Sequence, residues 1–118
     1  MFDWTKTCAY DAARKTKFHR MAKRRLKALA QELGLDEGMF DLRSNMGGIA
    51  VSGEITLHHE RLYVQVFQST LGPSHGIRIR TCQGRRDFTG GPNNWAHIDL
   101  LDDLPALASK IQSVVGRM

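Results

Sequence analysis

The sequence predicts an α+β fold: a two-layer sandwich of order α-β-β-β-β-α, with a four-stranded antiparallel meander and both helices on one face. Three observations support this prediction. Apolar residues recur every three or four positions near both ends of the chain, as in amphipathic helices. Between these segments, apolar and polar residues alternate, as in half-buried strands. The connections between the strands are too short for parallel crossovers.

Length and composition indicate one compact domain, residues 1–118, with enough apolar residues for its own core. No run of residues approaches the roughly 18 apolar positions of a membrane span. The opening MFDWTKTCAYDAARK lacks a basic segment followed by an apolar run, so we expect a cytoplasmic protein without membrane contact. Cys8 and Cys82 belong to no C-x-x-C pair, which indicates reduced thiols and no metal site.

The first helix is expected from Tyr10 to Leu33. Its buried stripe consists of Phe18, Ala22, Leu26, Leu29 and Leu33. At about 100° per residue, the opposite side presents one cationic face, made of Lys17, Arg20, Lys23, Arg24 and Lys27. Gly34 supplies the stop, because glycine accepts the left-handed conformation that ends helices.

Four strands are expected next. A short one surrounds Phe40 and Leu42. The segment GIAVSGEITLHH, residues 48–59, reads as a long strand with inward Ile49, Val51, Ile55 and Leu57. RLYVQVFQ points Leu62, Val64 and Val66 inward, and GIRIRTC does the same with Ile77, Ile79 and Thr81. If His59 and Glu60 form the turn between the second and third strands, Thr56 pairs with Tyr63 and Ser52 with Phe67.

The last part of the chain reads as a loop followed by a helix. The segment from Gln83 to Asn94 is rich in Gly, Asn and Pro and is expected to be irregular, with Asn93 or Asn94 capping a short helical turn. In LDDLPALASKIQSVVG, Asp102 or Asp103 caps the second helix and Gly116 ends it.

The positive charge is concentrated in one place. The whole chain carries a formal +5, and the stretch RKTKFHRMAKRRLK, residues 14–27, carries +8 with no acid in it, so the remainder sums to −3. This asymmetry predicts one electropositive surface on a mildly acidic body.

Cations at i, i+3, i+4 and i+7 can neutralise several phosphates at once without reading base sequence. The alternative is a well-solvated helix exterior, since Lys and Arg are good helix formers. The absence of Glu on this face favours an acidic partner, because a merely soluble helix usually carries i, i+4 ion pairs. Arg20 and Arg24 are the leading single residues.

The outward face of the sheet is a second candidate. The expected register of the next hairpin sets Arg80 beside Tyr63 and Arg78 beside Gln65, with Phe67 nearby. Such a face suits base stacking. It equally suits a protein partner or simple cross-strand packing.

The loop GRRDFTGGPNNW is a third candidate, because Arg85 and Arg86 could hold a phosphate or carboxylate. It contains no P-loop pattern and no G-x-G-x-x-G, and its glycines could simply turn the chain.

No catalytic or metal-binding constellation is evident, so we expect no enzyme, no cofactor and no small-molecule substrate. His58, His59 and Glu60 are adjacent, but neighbouring strand residues point to opposite faces and could not share one ion without a bulge. Cys82 has no partner base that the sequence can place. Asp87 is the acid whose replacement would first test a hidden activity.

The leading expectation is a small basic module that contacts nucleic acid, largely independently of sequence, through the cationic face. The alternative is a protein-interaction module or inhibitor that docks on an acidic surface of a nucleic-acid-handling complex. Small proteins without catalytic motifs are common among phage and mobile-element genes, so that alternative includes a counter-defence protein of the anti-CRISPR type.

Overall fold

The computed structural model describes residues 2–116 and has an α+β architecture. Helix α1, Ala12–Glu32, precedes a sheet of five antiparallel strands, and helix α2, Leu104–Val115, follows it. The strands are β1 Phe40–Asn45, β2 Glu54–His59, β3 Leu62–Phe67, β4 Ile77–Thr81 and β5 Asn94–Ala96, and they neighbour one another in chain order. The helices contact each other and pack on the sheet, which confirms the α+β class.

The fifth strand corrects the prediction of four. Asn94, Trp95 and Ala96 pair with Ile79, Arg78 and Ile77 of β4. The expected helical turn capped by Asn93 or Asn94 was therefore wrong, since β5 begins at Asn94. Three residues are too few to show an alternating pattern, and the preceding glycines and Pro92 indicated a turn rather than a strand.

Helix α1 follows the expected pattern. Asp11 caps it by accepting a hydrogen bond from the amide of Arg14 at 3.0 Å. All five residues predicted for the buried stripe are buried. Gly34, with φ +75°, lies just beyond the C-cap residue Leu33.

Strand β2 is shorter than predicted. It begins at Glu54, and residues 46–53 form a loop in which Ile49 and Val51 are 73% and 50% exposed, so their expected inward positions were wrong. Gly53 adopts φ +71°, outside the strand region, and this breaks the alternation. Ile55 and Leu57 are fully buried, as predicted.

The loop over residues 46–53 is tied to α1. The Lys15 ammonium donates to the Gly48 carbonyl at 2.7 Å, and His19 Nε2 lies 2.7 Å from the Ser52 carbonyl oxygen. The Tyr10 amide donates to the Ile49 carbonyl at 2.9 Å. Two of these bonds use side chains of α1 and the third uses the backbone just before it, and helical periodicity alone identifies none of these partners.

The register of the β2–β3 hairpin differs from the prediction by two residues. His58 pairs with Tyr63, Thr56 with Gln65 and Glu54 with Phe67, because the turn lies at Glu60 and Arg61. The predicted register of β3 and β4 is confirmed, with Arg80 beside Tyr63 and Arg78 beside Gln65.

Two terminal segments complete the core. Trp4 and Cys8 are buried although they precede α1, and Trp4 Nε1 donates to the Asp102 carboxylate at 3.0 Å. Helix α2 begins as expected, with Asp103 accepting from the Ala106 amide, and ends at Gly116. No helix within residues 2–116 is long and apolar enough to cross a membrane.

Candidate nucleic-acid interface

The cationic face of α1 is exposed along its whole length. Lys17, Arg20, Lys23, Arg24 and Lys27 are all solvent-exposed, as the helical spacing predicted. Ten residues separate the first and last of these positions, which is about 15 Å along a helix axis. The face therefore forms a continuous positive ridge.

Most of this charge is not neutralised by the protein itself. Lys27 forms an exposed ion pair with Glu37 at 3.2 Å, and Lys17 lies 5.9 Å from the centroid of the Phe2 ring. Arg20, Lys23 and Arg24 form no ion pair with any of the described residues. These three cations are free to meet an external anion.

The other three cations of the basic stretch have structural roles. Lys15 is buried against the Gly48 carbonyl, and Arg25 pairs with Asp102 at 3.3 Å. Arg14 donates to the carbonyl oxygen of Asp3 at 3.2 Å. The +8 stretch thus separates into cations that hold the fold and cations on the exposed face.

A groove of about 470 Å³ runs between the cationic face and the edge strand β1. Arg20, Lys23, Arg24 and Lys27 line one wall, and Phe40 and Leu42 line the other. Glu37 and Gly38 also line this groove. Helical periodicity located the cations, but only the packing of α1 beside β1 shows this adjacent apolar surface.

The outward face of the sheet is not the open platform that the sequence suggested. Tyr63 is only 7% exposed, and the Arg80 guanidinium lies 4.2 Å from its ring centroid. Arg78 lies 5.0 Å from the ring centroid of Phe67 and 5.1 Å from that of Trp95, and it donates to Gln65 at 2.9 Å. These arginines already stack on the rings that bases would have needed.

Buried polar side chains on the outward face of the sheet account for its lack of open surface. His58 is fully buried, with Arg43 donating to Nδ1 at 3.0 Å and Nε2 lying 3.0 Å from the Gly84 carbonyl oxygen. Since arginine only donates and a carbonyl only accepts, His58 must be the neutral tautomer with its proton on Nε2. Burial, with a smaller effect of Arg43, lowers the pKa of His58. Strand alternation predicts that His58 lies on this face, but no local pattern indicates its partners Arg43 and Gly84, which are distant along the chain.

The arginine-rich loop is held by internal bonds. Arg85 donates to Asp41 at 2.6 Å and to the Gly38 carbonyl at 2.7 Å, whereas Arg86 is exposed. The Asp87 carboxylate accepts from the amides of Gln83, Thr89 and Gly90, which holds the pKa of Asp87 far below its usual range. Asp87 is a permanent anion that organises the loop.

The two cysteines and the metal-ligand residue types bear on whether the chain holds a reactive thiol or a metal site. Burial raises the pKa of both Cys8 and Cys82, which disfavours the nucleophilic thiolate. Neither cysteine is in a disulfide. Within residues 2–116, no three His, Cys, Asp or Glu side chains are grouped as metal ligands would be.

Comparison of the chain with protein-family models, with curated proteins and with solved structures found no match.

Proposed function

We propose that the protein binds nucleic acid through the cationic face of α1, by contacts to phosphates that do not depend on base sequence. One observation carries the proposal. Arg20, Lys23 and Arg24 are exposed and form no ion pair within residues 2–116. Arg14, Lys15 and Arg25 of the basic stretch instead bond to the protein itself.

Counterion release supplies the driving force for such an interface. Each cation that neutralises a phosphate releases condensed ions from the nucleic acid, and the gain does not require any base contact. A cationic ridge about 15 Å long matches several successive phosphates, because each strand of DNA carries one charge per roughly 3.4 Å.

The outward arginines do not support a second nucleic-acid surface. Arg78 and Arg80 stack on aromatic rings, and Arg85 is held by Asp41. Breaking those contacts to meet a ligand would leave polar groups of a buried layer without partners, at a cost that phosphate contacts would have to offset.

The proposal is tested with two double variants that remove the same charge. Arg20→Gln with Arg24→Gln removes two cations from the face, and Lys6→Gln with Lys110→Gln removes two exposed cations from elsewhere. We expect the first pair to weaken binding of a mixed-sequence oligonucleotide by at least about tenfold, or about 1.4 kcal/mol, and the second to have little effect.

Fluorescence anisotropy at fixed salt measures the affinities, and circular dichroism checks that both variants fold. Equal losses in the two variants would mean that only net charge matters. Absence of binding by the wild type, together with nuclease-resistant capture of one acidic protein, would replace nucleic acid with the alternative partner.

A further inference from the structure

The groove between α1 and β1 is lined by both cationic and apolar side chains, whereas the exposed face of α1 alone is only cationic. One wall carries four cations, and the other carries the side chains of Phe40 and Leu42. Its volume of about 470 Å³ lies within the range of sites that enclose a small organic group. A ligand that fills it must offer both negative charge and apolar surface.

The apolar wall is incompletely covered because β1 is the edge strand. Leu42 pairs with Leu57, whose side chain is fully buried, yet Leu42 and Phe40 are only partly buried. Apolar surface left open beside cations is unfavourable in water and gains free energy when a ligand covers it.

We propose that this groove binds single-stranded nucleic acid, with phosphates on Arg20, Lys23 and Arg24 and a base packed against Phe40 and Leu42. The inference rests on the proposed function and specifies its substrate class. Single strands expose both base faces and backbone charge, and aromatic side chains beside cations are the usual means of binding them.

Duplex nucleic acid fits the groove less well. Its bases are stacked inside, so a duplex that reaches the cations presents phosphates and sugars but no base face to Phe40. The apolar wall would then stay exposed to water. A single strand can therefore gain binding free energy from contacts with both walls of the groove, whereas a duplex gains it from the cationic wall alone.

Glu37 limits which cations hold phosphate. Its carboxylate lines the groove and pairs with Lys27, although its side chain is 78% exposed. A phosphate near this carboxylate would be repelled, so the contacts are expected at Arg20, Lys23 and Arg24. Glu37→Gln should remove the repulsion and release Lys27.

The test compares affinities for a short mixed-sequence single strand and for a duplex of the same length. We expect wild type to bind the single strand about tenfold more tightly. Phe40→Leu should weaken single-strand binding by at least about fivefold, the loss expected when base stacking on an aromatic ring is removed, and should leave duplex binding unchanged. Phe88→Leu is the matched control, since Phe88 is exposed but contacts His58 and Arg43 on the other face of the sheet.

The Glu37→Gln variant gives a second test of the inference. Because Glu37 is exposed, this substitution leaves the hydrophobic core unchanged. It should tighten single-strand binding by about twofold or more. Equal affinity for single strand and duplex, equal effects of Phe40→Leu and Phe88→Leu, or no gain from Glu37→Gln would each overturn the inference.

The failure of this inference and that of the proposed function give different results. If wild type binds single strand and duplex equally, and Arg20→Gln with Arg24→Gln weakens both, the cationic face is a nucleic-acid interface without strand preference and only this inference fails. If wild type binds neither oligonucleotide but binds polyglutamate, both proposals fail and the groove is a site for an acidic polypeptide.

Discussion

His58 makes two hydrogen bonds that only one neutral tautomer can make together. Arg43 donates to Nδ1, and Nε2 is bonded to the Gly84 carbonyl. A proton on Nδ1 would face the guanidinium of Arg43, so protonation must break this bond. His58 therefore joins the loop that follows β4 to strand β1 only while it is neutral.

Stability is expected to fall as the pH falls through about 6.5, the usual histidine value. Burial lowers the pKa of His58 and of His59, so the folded state binds fewer protons than the unfolded state in this window. The loss is at most about 1.4 kcal/mol per pH unit for each histidine. Urea unfolding at pH 7.5, 6.5 and 5.5 measures it.

Replacing His58 with Gln, which binds no proton, should make that pH dependence shallower. The carboxylates do not interfere in this window, because Asp41 and Asp87 have pKa values lowered from 3.8 and lose their stabilising effect only in more acidic solution. Identical pH profiles for wild type and His58→Gln would show that His58 does not couple protonation to folding.

At the scale of elements, α1 provides both the core and the exposed charge. Leu29 lies fully buried on its inner stripe. Leu29→Ala should cost about 2–5 kcal/mol of unfolding free energy, as other large-to-small core changes do. Gln31→Ala, at an exposed position of the same helix, should change it by less than about 0.5 kcal/mol. Denaturant titration measures both, and similar small effects would mean that α1 is not anchored through this stripe.

The start of β2 depends on a glycine. A Cβ on Gly53 would collide with the backbone oxygens of Asn45 and Met46, and its φ of +71° is unfavourable for other residues. Gly53→Ala should therefore cost more than about 1 kcal/mol. Gly48→Ala, in the same loop and with no atom within 4 Å of the added Cβ, should be nearly neutral. Thermal unfolding separates the two, and equal melting temperatures would contradict the account of this loop.

Periodicity predicted the long elements because each one buries a single face. The inner stripe of α1, the inward residues of β3 and the register of β3 with β4 all follow from spacing alone. Strand β5 and the loop over residues 46–53 escaped prediction, because three residues show no period and the positive φ of Gly53 is not visible in an alternating pattern.

The candidate site was predictable only in part. Helical spacing located the cationic face, but the groove exists because α1 lies beside the uncovered edge of β1. The outward aromatics looked accessible in sequence, yet Arg78 and Arg80 cover them. Whether an aromatic ring is covered depends on residues that are distant in sequence, and the spacing of residues does not identify them.

At the scale of the whole molecule, the uneven distribution of positive charge is the feature that most restricts which partners can bind and where. In a chain with a net +5, Arg20, Lys23 and Arg24 lie together on one helix face without an ion pair among residues 2–116, whereas Arg25 and Arg85 pair internally. Such polarity guides a polyanion to one surface and sets its orientation there. We propose that phosphates bind at this face.

The salt dependence of binding tests that claim most directly. The logarithm of the association constant for a single-stranded oligonucleotide should fall linearly with the logarithm of salt concentration, by about 0.7 per phosphate neutralised. Replacing Arg20 and Arg24 by Gln should make the slope shallower by about 1.4, whereas replacing Lys6 and Lys110 should leave it unchanged. An unchanged slope in the Arg20 and Arg24 variant would contradict the claim that the cationic face of α1 binds phosphates.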